Sequence, residues 1–384
     1  MFRAFKYRLE PNAHQTREIE ITLETHRRLY NTCLEQRRDE SEPHRHSVKY
    51  TYQSRWFKQE RQTNPYFARL NFSSAQATMR RLDRAFQAFF RRAKAGETPG
   101  YPRFKPRDRF DSCTYPSLGD GVQLTGNKVR LQHIGLVRIH RHRSWEGEIK
   151  TVTIRREVDK WFVVLACETE DVWPARRHGG AAVGLDVGIE SFVTTSDGEQ
   201  IAPVQPLKRK LKKLRVAQRR LSRRKRNGQN RRKQRRQVAR VHAQVANTRR
   251  DLHHKTARDL VDRYGLIAVE SLNIQGMSRN HRLARAILDA GWNQFIEILG
   301  HKAESAGARV IAVDPGGTSQ TCSECGATVR KTLSERWHSC VCGYSAHRDR
   351  NAARNILARA LTAGTQPVGL NVDIGLHGQR SRRL

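Results

Sequence analysis

The sequence lacks any run of about 18 consecutive apolar residues, which excludes a transmembrane helix of ordinary length. Its first stretch, MFRAFKYRLEPN, has no long apolar core of the kind that a signal peptide needs. Acidic residues are also scarce, because 37 Asp and Glu stand against 73 Lys and Arg. These absences lead us to expect a cytoplasmic protein without a membrane partner.

The charge of the chain is strongly one-sided, with a formal net charge of +36 over 384 residues. Self-repulsion of that size is tolerated mainly when a polyanion neutralises it, so nucleic acid is the expected partner. An anionic membrane surface is the competing partner. Basic helices that bind membranes carry an apolar face rich in Trp, Phe or Leu, however, and the basic runs here lack one.

Four of the seven cysteines cluster in one short segment, and the other three are scattered singly. In a long chain without a secretion signal, such a cluster predicts a metal site rather than a disulfide framework. The predicted ligands of a closed, structural zinc ion are Cys322, Cys325, Cys340 and Cys342. The second pair is C-x-C where C-x-x-C is usual, so whether His338 replaces one thiolate stays open. The alternative is four unrelated cysteines.

Hydrophobic periodicity predicts a small basic helical bundle followed by an antiparallel sheet or small barrel. Apolar residues recur at helical spacing after Asn12, and again from Ser73 or Ser74. From about Val122 to Glu170 the pattern changes to period two, which is typical of an antiparallel sheet.

Strands and helices alternate in the later part of the chain. AAVGLDVGIESFVTTSDG predicts two strands of a hairpin, and GLIAVESLNI and ARVIAVDP each predict another strand. One amphipathic helix is expected through Ile287, Trp292 and Leu299, and HRDRNAARNILARAL predicts a last helix with Asp349 in its first turn.

Residues 207–236 contain 17 Lys and Arg but no Asp or Glu, together with a narrow stripe of leucines. An ordinary solvated helix mixes both signs of charge. We therefore favour a helical hairpin, broken at Asn227-Gly228 and resumed at Val238, whose basic face follows the phosphate backbone of RNA or DNA. The candidate phosphate contacts of this hairpin are Lys208, Lys212, Arg215, Arg219 and Arg223. The alternative is that the segment is only a solubilising arm.

Three carboxylates lie at the ends of predicted elements. Asp186 interrupts an apolar strand, Glu270 closes another strand, and Asp349 begins a helix. Buried carboxylates need a cation or hydrogen bonds, and separated hard oxygens that meet in space suit Mg²⁺. Two such ions would cleave a phosphodiester without a nucleophilic side chain, with Asp186 bridging them. The alternatives are a strand-end aspartate that bonds backbone amides for Asp186, and capping or surface residues for Glu270 and Asp349.

Five stretches follow one another in the second half of the chain: VGLDVGIESFVTTSDG, IAVESLNIQGM, DAGWNQFIEILGHKA, TSQTCSECG and HRDRNAARNIL. In order and spacing they resemble the nuclease half of the TnpB family, which is encoded by insertion sequences and related to type V CRISPR effectors. YRLEPNAHQTREIEITLETHRRLYN and GYPRFK resemble the family's opening. The resemblance implies that Asp186, Glu270 and Asp349 are the catalytic triad that binds two Mg²⁺ ions.

The resemblance also implies partners: a guide RNA transcribed from the end of the element, and double-stranded target DNA. The region before about residue 180 would read a short transposon-adjacent motif on the duplex. Its helix from Ser73 resembles the duplex-reading helix of the family, so Ser73, Gln76 and the upstream Tyr52 are candidate base contacts.

The expected fold is an α+β multidomain protein. It combines an RNase H-like (RuvC) α/β nuclease domain, carrying an inserted zinc ribbon, with an N-terminal β-barrel (wedge) domain carrying an inserted helical bundle. The expected bounds are 1–180 for the wedge, about 12–95 for its helical insertion, 181–360 for the nuclease domain, about 315–347 for the zinc ribbon and 361–384 for a flexible tail.

Four functions are weighed. The leading one is an RNA-guided, Mg²⁺-dependent endonuclease that cuts both DNA strands at one site and acts as a monomer with its RNA. A guided DNA-binding regulator without cleavage, a transposase, and a zinc-ribbon accessory protein of a mobile element are the alternatives.

Overall fold

The computed structural model of the protein describes residues 2–39, 48–169, 181–332 and 335–362. The fold is α+β and divides into two compact units, Met1–Asp171 and Val172–Leu384. The predicted tail lies outside the described residues except for positions 361 and 362, which continue a helix. Within the described part of the chain, every helix is too short or too polar to cross a membrane.

The first unit contains one antiparallel sheet of seven strands, in the order β2-β6-β7-β1-β5-β4-β3. The strands are β1 (Phe2–Glu10), β2 (Ser112–Tyr115), β3 (Val122–Thr125), β4 (Lys128–Leu131), β5 (Gly135–His140), β6 (Glu148–Glu157) and β7 (Lys160–Glu168). Side chains from all seven strands meet in one buried cluster, so the sheet curls around a common core. The strand pairs of the described residues do not join β2 to β3, and closure into a barrel stays a prediction.

The helical part of the first unit packs around its own buried cluster. Its elements are α1 (Ala13–Asp39), α2 (Tyr50–Thr63), α3 (Pro65–Ala68), α4 (Phe72–Lys94) and a 3₁₀ turn (Arg107–Arg109). Helix α4 begins at Phe72, one residue before Ser73, and its cap is Asn71, whose side chain accepts a 2.9 Å hydrogen bond from the Ser74 amide.

The second unit is built on a mixed sheet of five strands, in the order β10-β9-β8-β11-β12. They are β8 (Ala182–Asp186), β9 (Val193–Thr195), β10 (Gln200–Ile201), β11 (Leu266–Glu270) and β12 (Arg309–Val313). Strands β8, β11 and β12 run parallel, while β9 and β10 pair antiparallel as a hairpin. A separate ribbon pairs β13 (Trp337–Ser339) with β14 (Ser345–His347).

Helices surround this sheet. They are α5 (Pro206–Ser222), α6 (Gln229–Arg263), α7 (Ile274–Met277), α8 (Ala284–Ala290), α9 (Trp292–Ala306) and α10 (Arg348–Thr362). Two expectations were wrong in detail. The hairpin's second helix begins at Gln229 rather than Val238, immediately after the break at Gly228. The single helix expected through Ile287 is two helices, because Gly291 adopts a left-handed φ of 68° that no continuous helix allows.

Candidate active site and metal centre

Asp186 and Glu270 lie at the same edge of the five-stranded sheet. Strands β8 and β11 are parallel neighbours in which Val269 pairs with Leu185, and each strand ends on its carboxylate one residue later. The carboxyl ends of parallel strands meet at one edge, so this register brings the two side chains together.

Helix α10 brings Asp349 to the same place. A Cβ on Gly184 would lie 2.0 Å from the carbonyl oxygen of Ala353 and 2.8 Å from the amide nitrogen of Leu357, so the helix rests directly on β8. Asp186 follows two residues along the strand, on the same face as Gly184. Asp349 precedes Ala353 by about one helical turn. The absent side chain of Gly184 therefore lets the helix approach closely enough for the charge of Asp349 to act on Asp186.

The three carboxylates form one electrostatic cluster. Burial raises the pKa of Asp186 well above its usual value, and the charges of Glu270 and Asp349 raise it further, while Arg348 lowers it. Burial also raises the pKa of Glu270. Like charges held together in this way favour a bound cation, which would relieve both the desolvation and the repulsion.

Sequence reasoning missed two polar groups beside Glu270. The Thr318 hydroxyl donates a 2.6 Å hydrogen bond to its Oε1, which fixes the carboxylate. Asp314 follows β12 directly, and its charge contributes to the raised pKa of Glu270. The strand-end position that singled out Asp186 could have indicated Asp314 too, whereas nothing local marks Thr318.

The four predicted cysteines meet in space. Their Sγ atoms all lie within 4.8 Å of one another, with 3.5 Å from Cys325 to Cys340 and 3.8 Å from Cys322 to Cys342. A tetrahedral zinc–thiolate site requires sulfur–sulfur separations of about 3.8 Å. The cluster could therefore hold a metal ion, and both cysteines of C-x-C take part. Among the described residues, the ligand atoms of these four cysteines are close enough together to hold a metal ion, whereas Asp186, Glu270 and Asp349 do not form such a group.

His338 lies beside the cysteine cluster and is fully buried. Its Nδ1 is in close contact with the Lys331 ammonium, and its Nε2 has no hydrogen-bond partner among the described residues. Burial raises the pKa of Cys322, but the amides of Cys325 and Glu324 and the His338 ring outweigh that effect and lower it to about 6. Four thiols complete the cluster, so His338 fits a supporting position better than a ligand position.

Two buried asparagines of α10 join the carboxylate cluster to the cysteine segment. Asn351 accepts a 2.9 Å hydrogen bond from the Ser323 amide and donates a 2.8 Å bond to the Thr321 carbonyl. Asn355 donates to the carbonyls of Thr318 and Thr321 at 2.8 and 2.6 Å. The helix that carries Asp349 thus holds both the segment beside Cys322 and the threonine that fixes Glu270.

The predicted basic face is exposed to solvent. Leu214 and Ala217 turn the apolar side of α5 inward. The five candidate contacts of the hairpin point to solvent, and within the described residues none of their side chains forms an ion pair: Lys208, Lys212, Arg215, Arg219 and Arg223. This stripe of free positive charge is suited to a phosphate backbone.

The three candidate base contacts of the first unit differ in availability. Tyr52 is half exposed on α2. Ser73 donates its hydroxyl hydrogen to Asp120, and the Gln76 amide donates a 3.3 Å hydrogen bond to Ser54. Base contact by Ser73 or Gln76 would require these bonds to be exchanged, and the role of all three residues stays a prediction.

Three family models match the chain. The OrfB family of IS605 elements, described as "Probable transposase", matches residues 162–281, and "Cas12f1-like, TNB domain" matches 292–356. A "Helix-turn-helix domain" model matches 1–45, where the described residues form β1 and the single helix α1. Both ends of the second unit's sheet and the cysteine segment therefore fall within matched regions.

Full-length relatives establish the family. "Putative RNA-guided DNA endonuclease InsQ" of Escherichia coli K12 is 33% identical over 376 residues, which cover 92% of this chain and 91% of InsQ. A Streptomyces pristinaespiralis protein described in the same words is 34% identical over 94% of this chain and 90% of its own length. The chain belongs to the TnpB family. A solved CRISPR-Cas_phi3 structure is 10% identical, with a TM-score of 0.48 over 96% of this chain and 93% of its own, too little to support an argument.

Proposed function

We propose that this protein is an RNA-guided DNA endonuclease that hydrolyses both strands of a target duplex at one carboxylate centre. The observation that carries the proposal is the convergence of Asp186, Glu270 and Asp349 from two adjacent parallel strands and one helix that rests on them. The sheet order, with a three-stranded antiparallel part beside two parallel strands, supports an RNase H-like (RuvC) nuclease domain.

The residues divide the chemical work. Asp186 feels the charges of both other carboxylates and would contact both metal ions, while Glu270, fixed by Thr318, and Asp349 would complete the ligand set. Bound Mg²⁺ ions would activate a water molecule and stabilise the leaving oxygen of the phosphodiester. The raised pKa of Asp186 means that metal binding must displace protons, so activity should increase with pH.

A guide RNA and a DNA duplex are the proposed partners, and one protein with one RNA is the proposed unit. The net charge of +36 and the exposed basic face of α5 supply sequence-independent contacts to phosphates. Base pairing between guide and target would supply the sequence reading, with a short adjacent motif read by the first unit through its wedge-like sheet and helices.

The cysteine cluster is proposed to bind one structural Zn²⁺ ion. Four thiols with no fifth ligand make a closed site, which folds its segment and performs no chemistry. Its role would be to hold the ribbon against the start of α10, where Asp349 lies.

A transposase is the second candidate, since one matching family model is described in those words. Carboxylate-bound metal ions can support strand transfer as well as hydrolysis. A guided regulator without cleavage is less favoured, because all three carboxylates are present.

The first experiment is to purify the protein expressed with its native downstream flanking DNA and to sequence the RNA that accompanies it. One discrete RNA overlapping the end of the gene is expected. That complex is then incubated with a matching duplex, with Mg²⁺ or with a chelator.

Cleavage of both strands only with guide, target and metal would support the proposal. A random pool of cellular RNA, or intact target under all conditions, would overturn it. Joined products from labelled transposon ends would favour the transposase.

A further inference from the structure

A cavity of about 310 Å³ lies in the second unit, outside the carboxylate and cysteine clusters. Its volume is within the range of small-ligand pockets, roughly 300–1,000 Å³. Its wall is formed partly by the connection after β8, through Ile189 and Phe192, and partly by α6 and α8. Most of the lining surface is apolar, with contributions from Pro203, Val204 and Leu252.

The lining of this cavity carries an excess of positive charge. Arg249 is paired with the buried Asp289, at 3.2 Å between Nη2 and Oδ1, so those two charges offset each other. Lys208, Arg282 and Arg285 are exposed, and no side-chain hydrogen bond or ion pair holds them within the described ranges. Three cations are therefore free to bind an anion at the edge of an apolar cavity.

The backbone around the cavity is already organised. Gln205 adopts a left-handed conformation, with φ of 45°, at the entry to α5. The amides of Leu207 and Lys208, which would otherwise attract a phosphate, both donate to the Asp289 carboxylate at 3.0 to 3.1 Å. An anion must therefore bind through the arginine and lysine side chains rather than through the helix terminus.

We propose that this cavity binds one unpaired nucleotide of a nucleic-acid strand. The base would occupy the apolar interior, and the adjoining phosphates would contact Arg282, Arg285 and Lys208. A base paired within a duplex could not enter a cavity of this size, which makes the site selective for a single strand or a flipped residue. The inference rests on the proposed function only in taking nucleic acid as the partner, and it requires no cleavage.

Photocrosslinking tests the proposal without guide RNA and in the presence of a chelator, so a failure of the nuclease proposal leaves it intact. A short single-stranded DNA with one 4-thiothymidine, and the matching RNA with one 4-thiouridine, are irradiated with the full-length protein. Adducts are expected on the peptides that contain 203–208 or 282–290. The probe that gives the higher yield identifies DNA or RNA as the source of the nucleotide.

Two pairs of variants test the location. Ala286→Trp fills the cavity, while Leu288→Trp adds the same ring at an exposed position of α8 that does not line it. The first should lower the adduct yield on the order of tenfold and the second should not.

If Ala286→Trp does not fold, the second pair of variants keeps the test. Removing two cations by Arg282→Gln with Arg285→Gln should weaken crosslinking roughly tenfold, whereas Arg279→Gln with Arg309→Gln removes the same charge elsewhere. Adducts confined to other peptides, equal losses in both members of a pair, or equal competition by an unlabelled duplex would overturn the proposal.

Discussion

The carboxylate cluster and the cysteine cluster gather metal-binding side chains in different ways. The carboxylates stand on strands and a helix whose buried residues pack into the cores on the two faces of the sheet. The cysteines stand on turns beside a ribbon of two three-residue strands. The scaffold of the carboxylates is formed by apolar packing, and the buried charges that it carries destabilise it. The cysteine ribbon has too little apolar surface to fold by itself.

The difference teaches what each metal ion would contribute. At the carboxylates a cation would neutralise charge in a scaffold that already exists, so its removal should abolish chemistry and leave the fold. At the cysteines the metal would supply the folding free energy of its segment, so its removal should unfold the ribbon.

The largest expected effect is the loss of the ribbon in Cys340→Ser. Structural zinc contributes about 10–16 kcal/mol to the folding of small zinc-binding segments. The variant should lose one bound metal per chain, measured by atomic absorption, and hydrogen-exchange protection across 337–347, while protection of β8 and β11 persists.

Val341→Ser is the matched control, because Val341 lies between two ligands and is fully exposed. It should keep both the metal and the protection. Unchanged metal content in Cys340→Ser would contradict the assignment of that ligand.

Next in size is the loss of cleavage in Asp186→Asn. The guided cleavage rate should fall by at least about 100-fold, the usual cost of removing one preorganised electrostatic group. The melting temperature should stay constant or rise, because a buried charge repelled by Glu270 and Asp349 has been removed. Asp251→Asn, which breaks an exposed pair with Lys255, should retain activity. A large loss of stability in Asp186→Asn would mean that the carboxylate cluster, like the cysteine cluster, is needed for folding.

A smaller effect is expected for Gly184→Ala. The new methyl group would overlap the Ala353 carbonyl, so α10 must move away from β8. Overpacking of this kind costs about 1–3 kcal/mol, measurable by chemical denaturation, and cleavage should fall because Asp349 moves with the helix. Gly100→Ala is the comparison, since nothing lies within 4 Å of its added Cβ. Equal stability of the two variants would contradict the close contact between α10 and β8 at Gly184.

The smallest effect is a pH dependence of stability measured with a chelator present. Because the folded-state pKa of Asp186 is raised, the folded protein binds a proton more readily than the unfolded chain does. Stability should therefore fall as pH rises from the ordinary aspartate pKa toward the raised value, and Glu270 contributes in the same direction. Asp186→Asn and excess Mg²⁺ should each flatten the slope. If neither change alters the slope, the buried charges of these carboxylates do not destabilise the folded protein as proposed.

Much of the second unit could be predicted from its sequence. Local sequence patterns were enough for two features. The apolar runs that end in Asp186 and Glu270 form strands, and the cysteines of the C-x-x-C and C-x-C pairs cluster in space. In the first unit, period-two alternation from about Val122 to Glu170 predicted the later strands, because one face of each packs into the core, whereas β1 and β2 lie before that range and were not predicted.

Contacts between distant segments could not be predicted. Thr318 reaches Glu270 across 48 residues of sequence, and Asp289 caps α5 across 82. Gly184 reads as an ordinary small residue in a strand until α10 is seen to rest on it. Each depends on which faces pack together, and hydrophobic periodicity does not encode that choice.

The two asparagines of α10 set a condition for making shorter versions of this protein. A deletion that runs from Thr318 through the cysteine segment would leave the Asn351 and Asn355 amides without the carbonyls of Thr318 and Thr321. Each unsatisfied amide costs about 1–3 kcal/mol, a substantial part of the stability of a small domain. A shortened protein should therefore carry apolar residues of similar volume in place of Asn351 and Asn355, so that α10 stays packed on the sheet without the deleted segment.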